Sequence, residues 1–281
     1  MRNAIVGALL LGACLLNASC TAEGSAPTND APAAPETARG PLQSGYFPVG
    51  RNGVVQKVTY AAVEGEKVFE GDIILDNRGG GESAGGLQVQ GVAISGSSRR
   101  WANKVVPYAV DSGLSNTARV TDAIAHWHSK TDLTFVKRTS SNASKYPDYV
   151  VFRSGSGCSS TVGRKGGVQY VNLASSCSTG NAIHEIGHAV GLWHEQSRED
   201  RDSHVTIHWD NIEEGMEHNF DKHVSDGEDI NGYDYGSIMH YGETAFSKNG
   251  EPTITTKNGA DVGQRSGLSS GDVSAVETLY P

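Results

Sequence analysis

The stretch that most constrains this chain reads HEIGHAVGLWHE and begins at His184. His184 and His188 are four residues apart, so on a helix they lie on one face, one turn apart. Two such imidazoles bind one zinc ion, and Glu185 lies beside it, where a carboxylate accepts a proton from a zinc-bound water. Gly191 is placed to end the helix in a left-handed turn that brings His194 back as a third ligand. Three ligands leave one position for water, which is typical of a catalytic zinc site.

A second motif, SIMHY, is centred on Met239. The extended histidine motif followed by a Met-turn resembles the metzincin signature. A bare HExxH pattern occurs in unrelated proteins, where it is a solvated helix with two surface histidines. The glycine, the third histidine and the Met-turn favour the zinc site over that alternative.

The net charge of −9, without a basic cluster, argues against a nucleic-acid partner. The 35 glycines and the aromatic content of 7% indicate many loops and turns.

Residues 1–20 resemble an export signal: Arg2 precedes an apolar run that is too short to span a bilayer. The run also contains LGAC, ending at Cys14, which resembles a bacterial lipoprotein box, and Cys20 ends a poorer version. Simple secretion and an outer-surface lipoprotein both stay open. A lipidated cysteine is the one form of membrane attachment that we expect.

The chain divides into four parts. Residues 21–45 are rich in Ala, Pro and Thr without periodicity, which predicts a disordered linker. Residues 46–91 have few core-forming patterns, and we expect an extended arm that lies on the following domain. Residues 92–281 form that domain. It contains Cys158 and Cys177, and an exported protein would join them in a disulfide that closes a loop of about twenty residues. A pair of free thiols is the alternative.

Helical and strand patterns alternate irregularly in the domain, which predicts an α+β class. We expect helices over residues 116–130, 212–220 and 270–280. A further helix, which carries the histidine motif, should begin near Thr179 or Asn181, either of which can cap it. Strand patterns occur at 54–58, 105–110, 133–135, 149–152, 168–173 and 205–209.

From Phe69 to Tyr280 the chain resembles the astacin family of zinc endopeptidases, in a bacterial type with a propeptide. The resemblance is carried by the histidine motif, extended through Glu195 and RxDRD at residues 198–202, by the Met-turn, and by FxGD at residues 69–72. It implies two subdomains with the cleft between them, a zinc-binding helix and one zinc ion per chain.

The resemblance also implies roles for individual residues. Glu185 would be the general base and then the acid toward the leaving amine. Tyr241 would be a displaceable zinc ligand that hydrogen-bonds the oxyanion. Met239 would form an apolar floor beneath the metal, and Glu195 would bury its carboxylate near the N-terminus of the mature enzyme.

The resemblance implies that residues 46–91 are an inhibitory propeptide, in which Asp72 binds zinc and displaces the catalytic water. An activating protease would cut near Gly91–Val92 or at Arg99–Arg100. Cys158 and Cys177 match one of the family's two usual disulfides, and the cysteines of the second are missing.

The implied function is a secreted endopeptidase that is made as a zymogen and acts on protein or peptide substrates. Arg265 follows the Met-turn where the family builds the pocket for the residue after the cut, so its guanidinium would favour an acidic side chain; a surface arginine with a local partner is the alternative. An inactive zinc-binding adhesion protein, a structural zinc domain and an amidase acting on cell-wall peptides are competing functions.

Overall fold

The computed structural model describes residues 39–48, 55–75, 93–94, 96–224 and 227–281. The predicted signal peptide and most of the predicted linker lie outside these residues, as do the glycine-rich end of the arm and the Gly91–Val92 bond. In the described part of the chain, no helix is long and apolar enough to cross a membrane.

The described chain contains strands and helices in mixed order, as the α+β prediction requires. The strands are β1 (Leu42–Pro48), β2 (Val55–Val63), β3 (Glu66–Phe69), β4 (Ile73–Ile74), β5 (Ala93–Ile94), β6 (Val105–Val110), β7 (Thr134–Lys137), β8 (Tyr149–Arg153), β9 (Cys158–Ser160), β10 (Val168–Leu173), β11 (Val205–Ile207), β12 (Gly227–Glu228) and β13 (Ile254–Thr256). The α-helices are α1 (Ala118–Lys130), α2 (Thr179–Val190) and α3 (Ser270–Leu279).

One nine-stranded sheet runs through the molecule in the order β1-β2-β3-β4-β9-β10-β8-β6-β7. Its five-stranded half, from β9 to β7, is parallel except for β9, which runs antiparallel to β10. The other half is an antiparallel meander of the arm, β1 to β4. The two halves join where Ile73 of β4 pairs in parallel with Ser160 of β9. The arm therefore covers an edge that β9 would otherwise leave open.

Helices α1 and α2 pack against the five-stranded half. Their apolar faces, which include Val120, Trp127 and Ile186, share one buried core with Val150 and Val171 of the sheet. The indole Nε1 of Trp127 donates to the carbonyl of Ile183 at 3.1 Å, so the largest buried side chain also has its polar atom paired.

A second, smaller core lies C-terminal to α2. Val205, Ile212, Phe220, Tyr241 and Ile254 are its central members, and it has little regular structure beyond the β11–β13 pair. The active-site helix belongs to the first core and Tyr241 to the second. The predicted two-subdomain arrangement is therefore present, with the site residues at the junction.

Three expectations about local structure need correction. The linker does not extend to residue 45, because β1 begins at Leu42 and its backbone pairs with β2. Residues 212–220 are not one helix: only Glu217–Phe220 forms a 3₁₀ turn, because Gly215 has φ +86° and Ile212 bridges to Ser247. Ser178, rather than Thr179 or Asn181, caps α2.

The predicted disulfide is present and joins β9 to the segment that leads into α2. Cys158 and Cys177 are bonded across a Cα–Cα distance of 6.0 Å, and both are buried. We expect the Cys158→Ala/Cys177→Ala variant to lose about 3 kcal/mol of unfolding free energy, because the unfolded chain gains the entropy of an open loop. Urea unfolding measures this loss. Wild type under reducing conditions is the matched control and should unfold with the variant. An unchanged midpoint in both would contradict the prediction.

Candidate active site

Helix α2 is fixed at both ends by its own sequence. The Ser178 hydroxyl accepts from the Asn181 backbone N–H, and the Asn181 side chain accepts from the Ser178 N–H, which completes a capping box. At the other end Gly191 has φ +115°, and its N–H bonds to the carbonyls of Gly187 and His188. The predicted glycine turn is therefore confirmed, and it directs the chain back so that His194 faces the helix.

The three predicted zinc ligands meet one carboxylate of the arm. Asp72 lies 3.3 Å from Nε2 of His184, 3.2 Å from Nε2 of His194 and 3.6 Å from Nε2 of His188. These four groups are buried, and their ligand atoms all lie within 4.8 Å of one another. Atoms that bind zinc tetrahedrally at about 2.0 Å are about 3.3 Å apart, and the three distances from Asp72 to the imidazoles are close to that value.

The other nitrogen of each imidazole has an acceptor. Nδ1 of His184 lies 2.8 Å from the Ile238 carbonyl, and Nδ1 of His188 lies 2.8 Å from the Leu192 carbonyl. A carbonyl only accepts, so each Nδ1 carries the hydrogen and Nε2 presents a lone pair to Asp72. Nδ1 of His194 donates in the same way, but to the Glu70 carboxylate of the arm at 2.7 Å.

The donor set fits a metal cation. Nε2 of His188 and Oδ1 of Asp72 are buried, and neither has a hydrogen-bond partner in the described part of the chain. Burial and the nearby charge of Arg265 lower the pKa of His184 to about 3, and burial also lowers that of His188. Both imidazoles are therefore neutral, as metal ligands must be. Three imidazoles and a carboxylate at tetrahedral spacing are a zinc set.

The charges of the two arm carboxylates also favour a bound cation. Burial alone would raise the pKa of both, but neighbouring imidazoles lower that of Glu70 to about 2 and hold that of Asp72 well below its usual range. Burial would likewise lower the pKa of His194, yet Asp72 and Glu70 raise it to about 9. The site is thus rich in negative charge, which a divalent cation would balance.

Glu185 and Met239 lie where the sequence predicts them. Glu185 follows His184 on α2 and is 1% exposed. Met239 lies under the helix: a Cβ built on Gly187 would be 2.5 Å from its Sδ. The glycine between the two histidines of α2 is therefore what allows the Met-turn to approach.

Tyr241 contacts the site through its ring and the arm through its hydroxyl. Its ring centroid is 4.5 Å from that of His194, and its hydroxyl donates to the Glu70 carbonyl at 2.6 Å. Burial, and then the Asp72 charge, raise the pKa of Tyr241 well above its usual value. The side chain is therefore a neutral phenol, which is a hydrogen-bond donor.

Arg265 braces the Met-turn. Its Nη1 donates to the carbonyls of Ile238, His240 and Gln264 at 3.0 to 3.1 Å, and its own carbonyl packs against Gly180. These contacts agree with the alternative in which Arg265 has local partners and no role in substrate binding. A contact with a substrate side chain stays a prediction.

Glu195 lines a small cavity that Met239 also borders. This space of about 20 Å³ is lined in part by Glu195, Asp234 and Asp272. The Glu195 carboxylate accepts from the Asp234 backbone N–H at 2.8 Å. Burial raises its pKa to about 8, although Arg198 opposes this shift.

Sequence reasoning missed Glu70 and His223. Glu70 is fully buried and contacts His194, Ser197 and His223, and His223 is itself buried. A buried role for Glu70 had a signal, since it lies inside the FEGD motif. His223 had none, because no recognisable spacing links it to the histidine motif.

The family model for Astacin, a peptidase family, matches residues 93–281. Zinc metalloproteinase nas-15 of Caenorhabditis elegans is 41% identical over 229 residues, which are 75% of this chain and 39% of that protein. Protein SpAN of Strongylocentrotus purpuratus is 40% identical over 193 residues, which are 65% of this chain and 31% of that protein. The chain thus spans well under half the length of these two relatives.

A solved structure is also similar. High choriolytic enzyme 1, a hatching enzyme zinc-protease from Oryzias latipes, superposes with a TM-score of 0.60 at 37% identity. The match covers 67% of this chain and 98% of that one.

The site predicts one tightly held zinc ion per chain. We expect His188→Gln and His194→Gln to lose most of the zinc that wild type retains through dialysis, because each removes one ligand. His208→Gln is the matched control, since its Nε2 bonds to the Thr255 hydroxyl instead. Elemental analysis measures the metal, and thermal unfolding should show that a chelator destabilises wild type. Equal zinc in all four proteins would contradict the assignment.

Proposed function

The chain belongs to the astacin family, and from that premise we propose that it is a zinc-dependent endopeptidase that is made as a latent zymogen. The observation that carries this proposal is the Asp72 carboxylate, which lies against Nε2 of three buried histidines beside Glu185 and Tyr241. The substrates are proteins or peptides, and an activating protease removes the arm. The family and the signal-like residues 1–20 support an extracellular location.

Hydrolysis of a peptide bond follows from the residues around the metal site. Zinc, when bound, supplies a Lewis acid and lowers the pKa of a water molecule to about 7. Glu185 takes the proton from that water as it attacks the scissile carbonyl and then gives it to the leaving amine. The Tyr241 phenol, once released from the arm, donates to the developing oxyanion.

Latency follows from the same geometry. The turn at residues 70–72 brings Asp72 to the position that the attacking water needs, and the Glu70 carbonyl holds the Tyr241 hydroxyl. Pairing of β4 with β9 anchors this turn to the domain. Both reactive positions are therefore occupied until the arm is cut.

We expect the activating cut near Gly91–Val92 rather than at Arg99–Arg100, because Arg99 lies in a hydrogen-bonded turn. Ser97–Arg99 forms a 3₁₀ turn, and the Arg99 carbonyl accepts from the Arg164 N–H at 2.8 Å. A protease needs an extended backbone, which this bonded turn does not offer. After the cut, we expect the new ammonium terminus to approach Glu195 in its small cavity.

The competing functions differ in what they require. An inactive zinc-binding adhesion protein needs neither Glu185 nor Tyr241, and a structural zinc domain needs a fourth permanent ligand. Asp72 fills the fourth position only while the arm stays attached, so a peptidase accounts for more of the site. Preference for an acidic residue after the cut, through Arg265, stays a prediction.

Latency predicts that limited trypsin treatment of the full-length protein, which can cut the arm after Arg78, switches on casein hydrolysis, which a chelator then abolishes. Asp72→Ala should be active without trypsin, because the water position is open. Asp122→Ala, which removes an exposed carboxylate from α1, is the matched control and should stay latent. Equal activity before and after trypsin would remove the latency claim, provided that a gel shows the arm intact before treatment and cut after it. Failure to hydrolyse casein in either state, with zinc bound, would favour the adhesion protein.

The mechanism predicts a separate effect for Glu185→Gln. We expect the activated variant to lose a factor of about a hundred to ten thousand in kcat, because the proton acceptor is gone while shape is kept. Its zinc content should equal that of wild type, since Glu185 is not a ligand. Initial rates on casein and elemental analysis provide the two readouts. A variant that cleaves at the wild-type rate would exclude Glu185 as the base.

A further inference from the structure

Glu70 occupies a pocket of its own beside the metal site. Its side chain is 0% exposed. One carboxylate oxygen accepts from Nδ1 of His194 at 2.7 Å, and the other accepts from Nε2 of His223 at 2.8 Å and lies 3.3 Å from the Ser197 hydroxyl. Two imidazoles and a hydroxyl thus converge on one carboxylate, which is a charge-assisted arrangement.

The walls of this pocket belong to the domain and are held by the domain. The His223 ring stacks on Trp193 with centroids 4.1 Å apart and planes at 20°. The His223 backbone N–H donates to the Ser197 carbonyl at 2.8 Å, which fixes the two residues relative to each other. We call Ser197, His223 and the Nδ1 edge of His194 the carboxylate pocket. Its members keep these supports after the arm has gone.

Removal of the arm changes one zinc ligand more than the others. Nδ1 of His184 and Nδ1 of His188 donate to carbonyls of the domain, and these acceptors stay. Nδ1 of His194 donates to Glu70, and this acceptor leaves with the arm. A hydrogen-bond acceptor on the far nitrogen orients a ligating histidine and raises its basicity. After the arm has gone, Nδ1 of His194 therefore needs another acceptor in the carboxylate pocket.

The backbone conformation of Glu70 is unfavourable for a glutamate. Glu70 has φ +47°, in the left-handed region, and the next residue, Gly71, has φ +78°. Glutamate is unfavourable in that conformation compared with glycine, asparagine or aspartate. The contacts of its carboxylate offset this strain.

The carboxylate pocket is also in the path of a peptide. The Glu70 carbonyl lies at the Tyr241 hydroxyl, and two residues further along Asp72 lies at the metal ligands. The arm thus follows the cleft past both groups that act on a scissile bond. A substrate that replaces the arm must pass the same pocket.

We propose that Ser197, His223 and the Nδ1 edge of His194 form a substrate subsite for an acidic side chain, which Glu70 occupies in the latent chain. The ligand is a peptide with a glutamate or aspartate near the bond that is cut. This subsite is separate from the position assigned to Arg265, whose Nη1 contacts carbonyls of the Met-turn segment. The inference rests on the proposed peptidase function and specifies its substrate class.

The test uses trypsin-processed full-length protein from which trypsin and the released arm have been removed. Matched fluorogenic peptides carry glutamate or glutamine at one position, and the pair is moved through the positions on both sides of the cut. At one position we expect kcat/KM to favour glutamate by at least about tenfold, since hydrogen bonds to a charged group are lost with glutamine. In His223→Gln this ratio should fall to within about twofold.

Two variants serve as controls. His218→Gln changes a histidine whose ring stacks on Phe69 of the arm, 6.4 Å between centroids, and should keep the glutamate preference. Arg265→Ala should also keep it at the position that depends on His223. A preference that disappears with Arg265→Ala and survives His223→Gln would overturn the proposal.

A binding measurement gives a readout that does not depend on turnover. A labelled peptide with the sequence of residues 67–75, KVFEGDIIL, is titrated with processed Glu185→Gln protein and followed by fluorescence anisotropy. The Glu70→Gln peptide should bind at least about tenfold more weakly. Equal binding of the two peptides to a protein whose wild-type form hydrolyses casein would overturn the subsite and leave the peptidase intact. Absence of casein hydrolysis would instead count against the proposed function.

Discussion

The site depends on three hydrogen bonds that fix the far side of each imidazole. Because Nδ1 of His184, His188 and His194 each donates to an acceptor, the three Nε2 atoms point at one place, and those of the neutral His184 and His188 keep their lone pairs. Buried lone pairs that face one another are unfavourable unless a cation or a proton lies between them. The fold therefore contains a site that favours a bound cation. The acceptors that orient the imidazoles come from three separate parts of the chain: the Met-turn, the segment after α2 and the arm.

The Met-turn is held by the C-terminal helix. Asp272, in the first turn of α3, accepts from the Ser237 hydroxyl at 2.6 Å and from the Ile238 N–H at 2.9 Å. The same carboxylate accepts from the Ser269 N–H and completes the capping box of α3. The carbonyl that orients His184 belongs to Ile238, so the last helix of the chain contributes to the position of the first zinc ligand.

The arm brings two carboxylates to the predicted metal site and is anchored there by its own contacts. Two carboxylates in the one turn of a short hairpin would not be buried without compensating partners, because an isolated buried charge is costly. His194 and His223 supply hydrogen-bond donors for Glu70, and a cation held by the three histidines would balance the charge of Asp72. Sheet pairing between β4 and β9 adds backbone hydrogen bonds and sets the register of the arm. Cutting the arm, as we propose, would remove the two carboxylates and leave their histidine partners in the cleft.

The sequence by itself determined the zinc helix, its Gly191 turn and the pairing of Cys158 with Cys177, because each depends on local spacing or on a small set of partners. It predicted Asp72 at the metal site only through a motif that resembles a family pattern. Tertiary structure alone decided the roles of Glu70 and His223, which are separated by 153 positions and meet only because the arm adds strands to the sheet. It also decided that residues 212–216 are not helical, since the bridge from Ile212 to Ser247 replaces helical hydrogen bonds. Local patterns specify local geometry, whereas long-range contacts follow from how the two cores close on the cleft.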